Sequence, residues 1–105
     1  MTLRVDVQFV VRDGRVQDAV ELMQRINACI VDMGGPAGQL FQATSGPAMG
    51  GGIDAVWDFD NLAAWAAWEE GALEHEKFAA LFGEVLDPKG PIVTPFRREF
   101  WRSLP

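Results

Sequence analysis

The sequence predicts an α+β domain with elements in the order β-α-β-β-α-β across its 105 residues. Three observations predict it. Leu3, Val5, Val7, Phe9 and Val11 alternate with Arg4, Asp6 and Gln8, the two-residue period of a strand with one apolar face. Val16, Ala19, Val20, Met23, Ile26, Ile30 and Met33 then recur at three and four residues, the period of an amphipathic helix. A second strand-to-helix passage follows at Asp54-Ala55-Val56-Trp57-Asp58-Phe59-Asp60-Asn61-Leu62-Ala63-Ala64-Trp65. Right-handed crossovers then favour one antiparallel sheet ordered 4-1-3-2 with both helices on one face, the ferredoxin-like or split βαβ arrangement.

Each element has its own signals. The first strand spans residues 3–11 and ends in the turn Arg12-Asp13-Gly14, where Asp13 is placed to cap the first helix. Gly34-Gly35-Pro36 stops that helix, because glycine closes a helix and proline cannot extend one. Residues 38–44 read as a short second strand. Ser45-Gly46-Pro47-Ala48-Met49-Gly50-Gly51-Gly52 reads as a hairpin connection or rim, with a lid role left open. It precedes a strand, so it lacks the helix N-terminus that lets glycine loops hold phosphate. In the third strand, residues 53–59, Ile53, Ala55, Trp57 and Phe59 share a face. Asp60 or Asn61 caps the second helix, which carries Trp65 and, one turn on, Trp68, here placed near its exposed side. Gly71 is expected to interrupt it. A further helical piece, residues 73–86, presents Phe78, Leu81, Phe82 and Val85, and Asp87-Pro88-Lys89-Gly90-Pro91 stops it. Residues 92–103 form a long last strand. Phe96, Arg98 and Phe100 are expected to face one way; Arg97, Glu99 and Trp101 the other. Asp6, on the neighbouring first strand, is expected to pair with Arg97 or Arg98.

The totals narrow the function. The chain is long enough for one domain, residues 1–105, and such a small core favours burying more surface by self-association. Nine basic against fifteen acidic residues give a net charge of −6, which argues against nucleic acid and anionic membrane surfaces. No apolar run approaches the ~20 residues of a membrane span, and the N-terminus carries charges where a signal peptide needs an apolar core. A cytoplasmic protein is expected. With one cysteine, Cys29, no internal disulfide forms, and four-ligand cysteine–histidine zinc sites are excluded by counting.

Candidate chemistry centres on His75, the only histidine and the only side chain whose ordinary pKa lies near neutrality. Flanked by Glu74 and Glu76, it is the candidate general base; the alternative is a helix-end histidine with a structural role. Adjacent helical residues point apart, so Glu74, His75 and Glu76 do not make a metal site. Trp57, Trp65, Trp68 and Phe82 are candidate walls for an aromatic ligand, against the alternative that they are core. Trp101 is a candidate for a dimer interface.

The Asp13-Gly14-Arg15 and Gly34-Gly35 limits of the first helix carry a family resemblance. So do Val56-Trp57-Asp58-Phe59-Asp60 running into an aromatic helix, Glu74-His75-Glu76-Lys77-Phe78, and the long final strand. Together they resemble the dimeric α+β barrel proteins, which include antibiotic-biosynthesis monooxygenases, stress-responsive barrel domains and NIPSNAP-like proteins. The resemblance implies a homodimer that binds a hydrophobic, aromatic or polyketide-like molecule between sheet and helices. It further implies a cofactor-independent cyclase or oxygenase with no cofactor or metal, His75 handling protons, and Trp57, Trp65, Trp68 and Phe82 contacting substrate. The chain has no tyrosine, which departs from the family pattern and weighs against mechanisms that need a phenol proton donor. The rival reading is a non-catalytic ligand-binding or accessory dimer. Haem degradation ranks below both, because His75 is the only conventional axial ligand.

Overall fold

In the computed structural model, which describes residues 2–43, 51–85 and 92–105, the order is β1 (Leu3–Val11), α1 (Val16–Asp32), β2 (Gln39–Gln42), β3 (Gly52–Phe59), α2 (Leu62–Leu73), α3 (Glu76–Val85) and β4 (Val93–Arg102). The four strands form one antiparallel sheet in the order β2-β3-β1-β4, as the crossover argument requires. Most of the glycine-rich connection, residues 44–50, and the proline-rich helix stop, residues 86–91, fall outside the described residues.

The alternation in the strands decides where the core sits. Val5, Phe9 and Val11 of β1, Ile53 and Ala55 of β3, and Val93 of β4 are buried on the face that receives the helices. Onto it α1 lays Ala19, Leu22, Met23, Ile26, Cys29 and Ile30, all buried. Cys29 is thus a small buried hydrophobe, its Sγ 3.7 Å from Met33 Sδ. Pro95 lies in β4, an edge strand, where its missing N–H costs no ladder bond on the open side. The β1–β4 register slips between Gln8 and Phe9, as a bulge does.

Two local expectations are corrected, and a third, the cap of α2, is met by one of its two candidates. Asp13 does not cap α1. Gly14, at φ +75, turns the chain between them, Arg15 occupies the cap position with no side-chain capping bond and instead donates from Nε to Asp18 Oδ2 at 2.6 Å, and Asp18 supplies the negative charge of the first turn. Of the two cap candidates for α2, Asn61 is used: its Oδ1 accepts from Ala64 N at 2.8 Å. Gly71 does not interrupt α2, which runs to Leu73; the break falls at Glu74 and His75, whose amides bond back to Gly71 O and Ala72 O. Gly71 is exposed within a helix, and a Cβ there meets nothing within 4 Å. Gly71→Ala is therefore expected to stabilise the fold by about 0.5–1 kcal/mol in chemical denaturation.

The opposite face of the sheet presents Arg4, Asp6, Gln8 and Val10 of β1, Gln39 and Phe41 of β2, Asp54, Val56 and Asp58 of β3, and Arg97, Glu99 and Trp101 of β4. Arg4 grips Asp58 through two bonds of 2.9 and 3.1 Å, which holds the Asp58 carboxyl below its usual range. Arg97 pairs with Glu99 at 3.1 Å. The expected partnership of Asp6 with Arg97 or Arg98 is not made. Asp6 stands in register with Glu99, Arg97 is taken by Glu99, and Arg98 points to the helix face.

Candidate ligand-binding cavity

A cavity of about 380 Å3 lies between the sheet and the helices. The strand period puts Val5, Val7 and Phe9 of β1 and Trp57 and Phe59 of β3 on its sheet side. From α2 come Trp65, Trp68, Glu69 and Ala72, residues three and four apart that share one helix face. From α3 come Phe78, Phe82 and Val85, and from α1 Ile26 and Ile30. All four residues proposed as ligand walls, Trp57, Trp65, Trp68 and Phe82, line this one space.

The aromatic rings brace one another. Trp68 packs edge-on to Phe78 (5.8 Å between centroids, 87°) and at a tilt against Phe59 (6.0 Å). Phe78 stacks on Phe82 at 6.0 Å, and Trp65 meets Phe100 edge-on at 4.7 Å. Trp68 is therefore half-buried toward the cavity, which corrects its placement near the exposed side of α2.

Charge enters the lining at one place. Glu69 and Arg98 bring their ionisable groups to it; Arg97 borders the cavity, but its guanidinium is held on the open face by Glu99. The Arg98 guanidinium lies 5.4 Å from both the Trp65 and the Phe100 ring centroids and donates to Glu69 Oε1 at 3.4 Å. A cation over two aromatic faces is favoured electrostatically. Such an arrangement can stabilise negative charge on a bound oxygen and supplies one carboxylate able to accept a proton.

Close backbone contacts hold the edges of two tryptophans, Trp57 and Trp68. The segment after α1 carries Gly35 and Gly38 against their indole edges. A Cβ at Gly35 would lie 2.5 Å from Trp68 Nε1 and 2.8 Å from Ile30 Cγ2. One at Gly38 would fall on Nε1, Cδ1 and Cε2 of Trp57. Asn27 clamps Gly38 from α1: its Oδ1 accepts from Gly38 N at 2.8 Å, and its Nδ2 donates to Gly38 O at 3.2 Å. Trp57 Nε1 is buried without a hydrogen-bond partner among the described residues. The sequence marked neither Asn27 nor the glycines as cavity determinants. A polar residue on the apolar side of an otherwise regular helix was the one available signal.

His75 stands elsewhere. It is exposed, outside the cavity lining, and its Nδ1 accepts from Phe78 N at 3.4 Å, the bond of a residue capping α3. Among the described residues no group of three His, Cys, Asp or Glu side chains could hold a metal, and no helix is long and apolar enough to cross a membrane.

The architecture is similar to several solved structures. SnoaB, a cofactor-independent oxygenase from Streptomyces nogalater, superposes with a TM-score of 0.69 over 97% of this chain and 92% of its own, at 11% identity. A NIPSNAP family protein from Agrobacterium tumefaciens gives 0.72 over 97% and 86%, at 16% identity. A protein from Deinococcus radiodurans proposed to be an antibiotic biosynthesis monooxygenase gives 0.67 over 100% and 94%, at 13% identity. No protein-family model and no curated protein matches the sequence. The chain shares its fold with these structures, an antiparallel four-stranded sheet with the helices on one face.

Proposed function

We propose that this chain binds a hydrophobic, aromatic or polyketide-like small molecule in the cavity and acts on it as a homodimeric, cofactor-independent tailoring enzyme, a cyclase or an oxygenase. The observation that carries this reading is the cavity itself: about 380 Å3, walled by three tryptophans, with its charge gathered at Glu69 and Arg98. Pockets of roughly 300–1,000 Å3 with apolar walls and a few grouped polar atoms suit flat, largely apolar ligands. An aromatic ring system would lie among Trp57, Trp65, Trp68 and Phe82, with an oxygen substituent toward Arg98. There the guanidinium favours negative charge as it develops, and Glu69 is placed to take a proton. Orientation and exclusion of water would supply the rest of the rate gain. The fold shared with a cofactor-independent oxygenase supports this reading.

One observation favours the second reading, a non-catalytic binding or accessory dimer: the only histidine is outside the cavity. Titration of tryptophan fluorescence with aromatic polyketide intermediates and quinols, with mass spectrometry of the same mixtures, separates the two. Quenching with a changed mass or rearranged product is the expected result; quenching without any product favours the binder. No quenching across the panel sinks both.

His75 serves in this reading as the α3 cap. His75→Ala is expected to cost about 1 kcal/mol of stability and to leave ligand-induced quenching and turnover within about twofold. A fall in turnover of a hundredfold with normal binding would return the histidine to the chemistry.

A further inference from the structure

The cavity has one polar end. Among its described lining side chains there is no hydroxyl, side-chain amide or imidazole. Two of the three indole N–H groups are turned elsewhere: Nε1 of Trp57 lies against Gly38 and Nε1 of Trp68 against Gly35, both on the segment that follows α1. Hydrogen-bonding capacity is therefore gathered at Arg98 and Glu69, with Trp65 beside them. Exposure orients the space. Ile26, Ile30, Ala72 and Val85 are buried, whereas Leu73 is 60% and Phe82 36% exposed. The side chains of Arg98 and Glu69 are 52% and 39% exposed, so the charged pair stands at the rim and the apolar floor lies inside. A ligand oxygen carried to that floor loses its water and finds no partner, at a cost of about 1–3 kcal/mol.

The pair at the rim is complementary to one kind of oxygen. Arg98 Nη1 stands 3.4 Å from Glu69 Oε1, longer than the roughly 2.7–2.9 Å of a tight charge-assisted bond. A guanidinium only donates and a carboxylate only accepts, whereas a hydroxyl does both. A hydroxyl oxygen placed at the pair accepts from Arg98 while its proton goes to Glu69. An ether oxygen accepts from Arg98 and offers Glu69 nothing. A carboxylate accepts from Arg98 but sets a second negative charge beside Glu69.

We propose that the cavity takes a fused aromatic ligand ring-first, with its hydroxyls confined to one edge, and that Arg98 and Glu69 together select a neutral phenol or enol hydroxyl over an ether or a carboxylate. This deepens the ligand-binding reading above and rests on it. Sites built to hydrogen-bond a hydroxyl reject the analogue lacking it by about 10^4-fold or more when the polar groups are fully buried. Here both groups are partly exposed, and water screens and partly satisfies them, so a selection of about tenfold is expected.

Calorimetric titration of the wild-type protein with naphthalene derivatives near neutral pH tests this, since two fused rings fit a cavity of about 380 Å3. 2-Naphthol is expected to bind about tenfold more tightly than 2-methoxynaphthalene and than 2-naphthoate. 2,3-Dihydroxynaphthalene, with both hydroxyls on one edge, should bind at least as tightly as 2-naphthol; the 2,6-isomer, which sends one hydroxyl to the floor, about tenfold more weakly. Glu69→Gln removes the negative charge and is expected to tighten 2-naphthoate about tenfold. Adding Arg98→Met to that variant should abolish the gain. Thermal unfolding checks that the variants fold. Ether or carboxylate bound as tightly as 2-naphthol overturns selection by the pair and leaves the cavity reading standing. Equal binding of the two dihydroxy isomers overturns the ring-first orientation. A naphthoate affinity unchanged in Glu69→Gln overturns the part given to Glu69. No binding of any compound overturns both the proposal and the ligand-binding reading.

Discussion

Gly38→Ala should lower stability by about 1–3 kcal/mol, the usual cost of forcing atoms into a packed site. The added methyl falls on the five-membered ring of Trp57, and the backbone that carries it cannot retreat freely, because Asn27 holds both Gly38 N and Gly38 O. Trp57 must therefore move, and it lines the cavity. Three readouts should change together: the melting temperature, the intrinsic tryptophan emission, and the affinity for any aromatic ligand that wild-type protein binds. For a domain of this size a loss of 1 kcal/mol corresponds to roughly 4–8 °C in Tm. A variant with wild-type stability and emission would show that the connection after α1 yields, and that the glycine is not what sets the tryptophan. Asn27→Ala offers an independent check, since it frees the clamp without adding bulk.

Trp68→Ala is expected to produce the largest loss. Trp68 stands between Phe59 and Phe78, and its indole edge is closed in by Gly35. Removing it leaves those rings without a partner and opens the wall between β3 and the two C-terminal helices. Truncation of large aromatics costs about 3–5 kcal/mol when they are fully buried; half-burial puts Trp68 near the lower bound. The variant should also bind aromatic ligands at least about tenfold more weakly, because it loses a flat wall as well as rigidity. Denaturation and fluorescence titration measure the two effects separately. Trp65→Ala distinguishes them further: Trp65 is braced by Phe100 and Arg98 at the charged part of the lining, so its loss should weaken binding more than folding.

Most of the frame was legible in the chain. The alternation of Leu3 to Val11 named the face of β1 that is buried, and the stripe from Val16 to Met33 named the face of α1 that covers it. Those periods are local, so they survive without knowledge of partners. The aromatic wall was legible for the same reason: a strand residue, Trp57, followed by Trp65 and Trp68 one turn apart, must be gathered wherever strand and helix pack together. Boundaries were read less well where two local signals competed. Gly71 weakens a helix by propensity alone, yet α2 continues through it, because Ala72 beyond it is buried against the core.

Charge was the part that the sequence left undecided. Glu69 reads as a solvated helix residue and Arg98 as one more strand arginine, until the register of β4 against β1 brings Arg98 to the helix side and over Trp65. Asp6 reads as the partner of an arginine, until the same register sets it opposite Glu99 and beside Asp54. A one-residue shift would reverse each of these assignments, since successive strand residues face opposite ways. His75 is the counterpart case: its chemistry singles it out in the sequence, and its place at the start of α3 gives it an amide to cap. The sequence by itself determined the elements, their order and which faces are apolar, because hydrophobic period and turn chemistry act over a few residues. Only the tertiary structure decided which charges meet, which glycines touch the indoles and which side chains share the cavity, because those depend on strand register and on contacts between residues far apart in the chain.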